Sequence, residues 1–290
     1  MSLLVTGAGG GIGQAMAADR PVVPLPRRDR GGLWWEPLEG RVHIPDDQPV
    51  EAVVHLAGEP IAGQRWTEDS KRLMRDSRVL GTRSLVDWMA SRVERPRVLV
   101  SASAVGIYGS RGDEELDEDA GVGQGFLAQL VADWEAEALR ARELGVRVVC
   151  LRIGVVMDPS SGALSEMLTP ARFGLGGPLG SGQQWMPWVH VRDVVRGFLW
   201  ALDTSTASGP YNLTAPGIAR QIELARTLGR VLGRPAFLPA PLWALRLAFG
   251  ELADEALVSS QRAAPVRLLE EGFTFQHPEL EPALRNLIEP

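Results

Sequence analysis

The chain has 290 residues, 45% of them apolar, and its 36 acidic and 30 basic side chains give a formal net charge of −6. These values predict a globular protein with a sizeable core, and they exclude the basic surface that a nucleic-acid partner requires. A single cysteine, Cys150, excludes an internal disulfide and a thiolate metal cluster. We see no signal peptide and no apolar run long enough for a membrane helix, so we expect a cytoplasmic protein without a membrane partner.

Short apolar segments alternate with helical patterns along the first 155 residues. Strands are predicted at residues 3–6, 22–25, 52–56, 97–100 and 146–153, and helices at 70–92 and 126–144. Apolar strands that alternate with helices indicate a parallel sheet covered on both faces. The sequence therefore predicts an α/β fold, a Rossmann doubly wound parallel sheet.

After about residue 159 the pattern changes to loops rich in glycine and proline, followed by mostly helical segments. Helices are predicted at 192–202, 222–232 and 242–252, with a short strand near 211–213. We predict a dinucleotide-binding domain formed by residues 1–158 and 189–215. Residues 159–188 and 216–290 would form a smaller, mostly helical substrate domain.

A glycine-rich loop follows the first predicted strand. Gly7, Gly10 and Gly13, with Gly11 and Ile12 between them, lie between that strand and a helix. The first glycine permits a tight turn, the second lets backbone N–H groups approach a pyrophosphate, and the third allows close packing of helix on strand. This loop predicts a dinucleotide site.

About twenty residues further on, such folds place the residue that contacts the adenosine ribose. Here the second strand ends in Arg27 and Arg28 rather than in an acidic residue. A guanidinium binds phosphate through two hydrogen bonds, so the pair favours NADP over NAD, although a solvated basic turn is the alternative. Pro24 and Pro26 are unusual for an interior strand because proline cannot donate to the ladder.

Several motifs recur in the same order in a known superfamily. They are the glycine loop, Leu56-Ala57-Gly58, the segment from Ser101 through Ser103 to Tyr108-Gly109, and the segment from Pro187 through His190 to Asp193. Together they resemble the extended short-chain dehydrogenase/reductase superfamily, which includes NAD-dependent epimerases and dehydratases. The segments 56–66, 175–185 and 260–273 resemble, more narrowly, a poorly characterised epimerase-like subfamily with a C-terminal domain of unknown function. The resemblance implies that Leu56, Ala57, Gly58 and Ser101 also contact the cofactor.

The chain lacks the Tyr-x-x-x-Lys motif by which this superfamily usually transfers protons. Lys71 is the only lysine, and neither Tyr108 nor Tyr211 has a lysine four residues later. Alignment on Glu135 puts Leu127 and Val131 at the tyrosine and lysine positions, and a shift of one residue puts Phe126 and Leu130 there. The resemblance therefore covers the cofactor loop and fails at the proton-transfer site.

Two residues are candidates for catalysis. Ser103 matches the catalytic serine of the superfamily, whose hydroxyl can donate to a substrate oxygen, and the alternative is a serine that caps a turn. Tyr108 follows in a loop flanked by glycine. Because an unperturbed phenol has a pKa near 10, its action as a base requires a nearby cation, and the alternative is a packed loop aromatic.

Candidates for substrate binding lie in loops after the strands. Glu59 and Arg65 follow the strand at 52–56, at the edge where open α/β sheets bind ligands. Trp185 and His190 precede a helix that borders the substrate cleft in the related enzymes. The four histidines are scattered without metal-ligand spacing, so we predict no metal site.

Two hypotheses about function follow. In the first, the chain is an NADP(H)-dependent, epimerase-like oxidoreductase acting on a small polar or sugar-like substrate. In the second, it has kept the fold and lost the chemistry, and is an NADP(H)-binding sensor or partner-binding module. A homodimer through the helices at 70–92 and 126–144 is typical of the superfamily.

Overall fold

The computed structural model describes residues 2–28, 32–62 and 65–289. Its strands follow one another along the chain as β1 (Leu3–Thr6), β2 (Val23–Leu25), β3 (Trp34–Glu36), β4 (Arg41–His43), β5 (Ala52–His55), β6 (Val98–Ala104), β7 (Glu115–Leu116), β8 (Arg147–Ile153), β9 (Val155–Met157), β10 (Trp185–Met186), β11 (Trp188–His190), β12 (Gly209–Leu213), β13 (Ala219–Arg220) and β14 (Arg262–Ala263). Its α-helices are α1 (Gly11–Asp19), α2 (Glu68–Ser91), α3 (Phe126–Leu139), α4 (Gly162–Arg172), α5 (Val191–Asp203), α6 (Gln221–Leu232), α7 (Leu242–Phe249), α8 (Val266–Glu270) and α9 (Leu280–Ile288). Among these ranges, no helix combines the length and the apolar composition that crossing a bilayer requires.

Six strands form one parallel sheet in the order β12-β8-β6-β5-β1-β2. Successive residues of a strand point to opposite faces, and in the inner strands both faces are buried. Val5, Val54 and Val100 pack in a core with α1 and α5, whereas their neighbours Leu4, Val53 and Leu99 pack with α2 and α3. The doubly wound Rossmann fold predicted from the sequence is therefore confirmed.

The two prolines of the second strand are explained by its place in the sheet. β2 pairs only with β1 among the described strands, so Pro24 lies on an edge where one side of the backbone makes no ladder hydrogen bonds. The short antiparallel hairpin of β3 and β4, which we did not predict, continues the chain from here. Its Trp35 donates a backbone hydrogen bond to the carbonyl oxygen of Pro26.

The residues after β12 are mostly helical, as predicted, and they contact the Rossmann unit at the start of α3. Gly125, with φ of 105°, precedes that helix and has no side chain to cap it. Instead, Glu255, in a single π-turn formed by Ala253–Leu257, accepts a hydrogen bond of 3.2 Å from the Leu127 backbone N–H. A carboxylate at a helix N-terminus satisfies an otherwise unpaired donor and interacts favourably with the helix dipole.

Candidate functional site

The strand order places a crevice at the carboxyl ends of β1 and β5. From β1 the chain passes to β2 on one side and then returns to β5 on the other, and open α/β sheets bind ligands at such a switch point. A cleft of about 350 Å³ lies there. Of the predicted cofactor residues it is lined by Gly7, Gly10, Arg27, Leu56, Ala57 and Gly58, and it is also lined by Ala8, Gly9, Pro24, Leu25, Pro26 and Trp35.

At two positions of the loop, neighbouring backbone atoms lie too close to allow any residue other than glycine. Gly7 has φ of 71°, and a Cβ there would lie 2.9 Å from the backbone nitrogen of Ala57. A Cβ on Gly13 would lie 2.6 Å from the carbonyl oxygen of Gly7. Gly11 and Ile12 begin α1, so the first amides of this helix point toward the loop, as a bound phosphate requires.

The arginine pair lies at the end of β2. Arg27 is exposed, and its Nη1 lies 3.5 Å from the Glu59 carboxylate. Arg28 has φ of 75°, an uncommon conformation for a residue with a side chain, and its N–H donates to the Trp35 carbonyl oxygen. Arg27 thus lines the cleft and faces Glu59, whereas Arg28 is not among the residues that line it.

Ser103 and Tyr108 are joined by one buried network. The Ser103 hydroxyl donates to Glu135 Oε1 at 2.5 Å, and Arg152 binds both carboxylate oxygens of Glu135 at 2.9 Å. Arg152 also donates from Nη1 to the Tyr108 hydroxyl at 2.9 Å. Burial opposes the charge on Arg152, but the hydrogen bonds and the charge of Glu135 raise its pKa above the ordinary value.

The Tyr108 hydroxyl is enclosed. The side chain is fully buried, and its oxygen lies 2.7 Å from Asn212 Oδ1 and 2.9 Å from the Asp117 carbonyl oxygen. Burial raises its pKa to about 12, although the neighbouring Arg152 opposes the shift. Arg152 supplies the cation that a tyrosinate base needs, yet the geometry favours a neutral phenol that joins the helical turn after β6 to Asn212 of β12.

The helix positions that carry tyrosine and lysine in the superfamily are apolar and packed. Leu127 and Val131 are 7% and 1% exposed, and they lie in one core cluster with Trp66, Val105 and Ile107. The alternative positions, Phe126 and Leu130, belong to the same cluster. Neither alignment therefore places an ionisable side chain at the tyrosine or the lysine position.

Comparison with known proteins agrees with this geometry. Residues 39–214 match the model of the "NAD dependent epimerase/dehydratase family", and residues 240–287 match a domain of unknown function, DUF1731. The chain belongs to the NAD-dependent epimerase/dehydratase family. The predicted resemblance, including the C-terminal domain, is confirmed.

Individual relatives match over nearly the whole length of this family member. Epimerase family protein Mb2239 of Mycobacterium bovis is 40% identical, over 97% of this chain and 95% of that protein. The chloroplastic SDR39U1 homolog of Arabidopsis thaliana is 37% identical, over 100% of this chain and 87% of that protein. The crystal structure of human epimerase family protein SDR39U1 (isoform 2) with NADPH is 34% identical, covers 100% of this chain and 99% of its own, and has a TM-score of 0.91.

The predicted substrate residues of this epimerase-family chain lie in separate environments. Glu59 faces Arg27 at the cleft, and Arg65 lies against Gly250 just after α7. Trp185 donates to Asp113 and stacks under the Arg220 guanidinium, 4.3 Å from the ring centroid.

The fourth substrate candidate, His190, is buried and stacks on His277, with 3.8 Å between ring centroids. Among the described residues, no hydrogen bond, ion pair or ring contact joins these four candidates to one another. Ser101, predicted at the cofactor, is buried inside the sheet and donates to the Ala102 carbonyl oxygen.

Sequence reasoning missed two arginines. Arg152 interrupts the apolar strand β8, and a charge in such a strand is a signal for a buried ion pair. Arg78 is one helical turn from Met74 and from Gly81 on the buried face of α2, where a charge is equally unusual. Arg152 binds Glu135, 17 residues away, and Arg78 binds the carbonyl oxygen of Glu59, 19 residues away, so the signal could have identified the arginines without identifying these partners.

Proposed function

We propose that the chain binds NADP(H) and uses it in an epimerase-like oxidoreductase reaction on a small polar or sugar-like substrate. The observation that carries this proposal is the cleft at the switch point, where the glycine loop and Arg27 face the same space. The human relative, which is similar in fold over its whole length, was crystallised with NADPH, and this supports the choice of cofactor.

The glycine loop, Arg27 and Ser103 each have a part in this proposal. The backbone amides after Gly7 would bind the cofactor's phosphates, and Arg27 would bind the adenosine 2′-phosphate. When bound, the cofactor would supply or accept a hydride. Ser103 would polarise a substrate carbonyl, for which its hydroxyl must leave Glu135, and a donor other than Tyr-x-x-x-Lys would supply the proton.

Turnover of the pyridine nucleotide tests the chemistry. We expect purified protein to oxidise NADPH, followed by its fluorescence, with at least one member of a panel of sugars, nucleotide sugars and small carbonyl compounds. Ser103→Ala should reduce that rate while NADPH affinity stays unchanged. NADPH binding without turnover across the panel would contradict the oxidoreductase assignment.

One observation favours the second hypothesis, an NADP(H)-binding sensor or partner-binding module. Leu127 and Val131, at the positions of the superfamily's tyrosine and lysine, are apolar and buried, so these positions offer no proton donor. A sensor would capture an identified protein partner only when NADPH is present, and it would do so equally well as Ser103→Ala. Capture that is independent of NADPH would exclude an NADPH sensor.

A homodimer through α2 and α3 stays a prediction, as does a cytoplasmic location. The outer face of these helices carries ion pairs within the chain, including Arg75 with Asp133 at 2.7 Å and Arg140 with Asp87 at 3.0 Å. A dimer formed here would therefore have a polar interface, weakened by salt.

Calorimetric titration with both nucleotides tests the cofactor preference. A hydrogen bond to a charged group contributes about 1.5–3 kcal/mol, so NADPH should bind roughly ten- to a hundredfold more tightly than NADH. Arg27→Ala should remove most of this preference and leave NADH affinity nearly unchanged.

The matched control for Arg27→Ala is Arg41→Ala. Arg41 is also exposed and pairs with Glu36 on the hairpin that follows β2, and its loss should alter neither affinity. Equal affinities of the unmutated protein for the two nucleotides would contradict the assignment of Arg27.

A further inference from the structure

Arg78 packs against Gly58, one of the residues that line the cofactor cleft. Its guanidinium packs against Gly58, where a Cβ would lie 2.9 Å from Arg78 Cζ, and its other face lies over the ring of Trp134, 5.3 Å from the centroid. Gly58 lines the cleft, so Arg78 is separated from it only by a glycine backbone. The absence of a side chain at residue 58 is what lets the guanidinium come this close.

The hydrogen-bonding capacity of this arginine is only partly used. Nη1 donates to the carbonyl oxygens of Glu59 at 2.8 Å and of Met74 at 3.2 Å. Nε is buried and has no partner among the described residues, and none of the hydrogen bonds among them uses Nη2. A buried guanidinium with donors to spare is costly unless an acceptor binds it.

Its charge is also incompletely balanced. Burial lowers the pKa of Arg78 to about 10, with Glu59 raising it and Arg27 lowering it further. The Glu59 carboxylate pairs with Arg27 at 3.5 Å, whereas Arg78 contacts only the backbone carbonyl oxygen of Glu59, and no ion pair among the described residues joins Arg78 to a carboxylate. The local excess of positive charge favours an anionic ligand.

The position of this charge distinguishes it from Arg27. Gly58 follows Ala57, the residue whose backbone contacts Gly7 at the start of the phosphate loop. Arg27 lies instead at the end of β2. Arg78 is therefore next to the part of the site where a pyrophosphate would bind, and Arg27 is next to the part that would hold the adenosine ribose.

We propose that Arg78 is a further cofactor-binding residue, which donates to a diphosphate oxygen common to NADH and NADPH. This inference rests on the proposed function, because it assumes that the cleft binds a dinucleotide. It assigns the two arginines different parts: Arg27 determines the choice between the nucleotides, and Arg78 contributes to the affinity for both.

Calorimetric titration of Arg78→Met with NADPH and NADH tests the proposal. The affinity for both nucleotides should fall by the same factor, about ten- to a hundredfold, since a hydrogen bond to a charged group is lost in each complex. The rise in melting temperature that either nucleotide produces should shrink in parallel. Arg83→Met, on the exposed face of the same helix and paired with Glu137, is the matched control and should bind as the unmutated protein does.

The other outcomes are equally decisive. Unchanged affinities in Arg78→Met would mean that the arginine only supports the turn at Glu59, and a loss confined to NADPH would place it at the 2′-phosphate; either result overturns the proposal. If Arg78→Met does not fold, Arg78→Lys keeps the charge without the forked donors and should still weaken both nucleotides by a similar factor. If the unmutated protein binds neither nucleotide, it is the proposed function that fails.

Discussion

Replacing Arg152 with methionine should lower the free energy of unfolding by about 3–5 kcal/mol, the cost of removing one partner from a buried ion pair. The Arg152 and Glu135 side chains are 8% exposed. The substitution would leave the Glu135 carboxylate buried, with Ser103 as its remaining hydrogen-bond partner among the residues that the structure describes. It would also remove the donor to the Tyr108 hydroxyl and to the Glu118 carbonyl oxygen. Denaturant-induced unfolding followed by tryptophan fluorescence measures this loss.

Two further variants separate the ion pair from general effects of losing an arginine. Arg140→Met removes an exposed arginine that pairs with Asp87 and Glu137, and it should cost at most about 1 kcal/mol. Glu135→Leu combined with Arg152→Met should recover much of the loss, because no unpaired charge remains buried. A change below about 1 kcal/mol in Arg152→Met would contradict a structural role for this pair.

Mild acid should destabilise the protein by about 4 kcal/mol between about pH 7.5 and about pH 5, with about 2 kcal/mol from each of two histidines. His55 is fully buried between the hydroxyls of Thr6 and Thr82, and burial lowers its pKa from 6.5 to about 3, with Arg78 adding to the shift. Burial, and then the stacked His277, lower the pKa of His190 from 6.5 to about 4.

Acid lowers the free energy of unfolding because these protons bind to the unfolded chain more readily than to the folded one. Both histidines stay neutral in the folded chain, whereas the unfolded chain takes up protons as the pH falls below 6.5. Their contribution to stability is therefore complete above that pH and is lost progressively toward the folded-state pKa values. Chemical denaturation across this range measures how the free energy of unfolding changes with pH. The control is His43→Asn, at an exposed site, which should leave this pH dependence unchanged. A flat profile above pH 5 would contradict the expectation.

The fold could be predicted from the sequence because its signals are local. β1 matches its predicted bounds, and β5 and β8 differ from theirs by a single residue, since runs of buried apolar residues between turns define such strands. β6 continues to Ala104, beyond the predicted end at residue 100, because its register with β8 includes the small residues Ser101 and Ser103. α4 and α9 were not predicted, since glycine and proline around them obscured the helical spacing.

The cleft at the switch point could be anticipated for the same reason, because its glycines lie in one short motif. The contacts of Ser103 and Tyr108 were not, since Glu135 and Asn212 are separated from them by 32 and 104 residues. Nothing in the local sequence tells whether a serine hydroxyl faces a cleft or a buried carboxylate. The proposed part of Ser103 in catalysis stays a prediction, and Ser103→Ala tests it.

Because of Glu255, the C-terminal segment and the Rossmann unit are not structurally independent. The carboxylate that caps α3 comes from the matched segment at 240–287, so the helix that forms one wall of the Rossmann unit begins on a contact supplied from outside that unit. A truncated chain ending before residue 240 would lose this acceptor and expose the apolar neighbours of Leu252. Chimeras that exchange the C-terminal segment between relatives therefore need a carboxylate at the position of Glu255 if α3 is to keep its first turn.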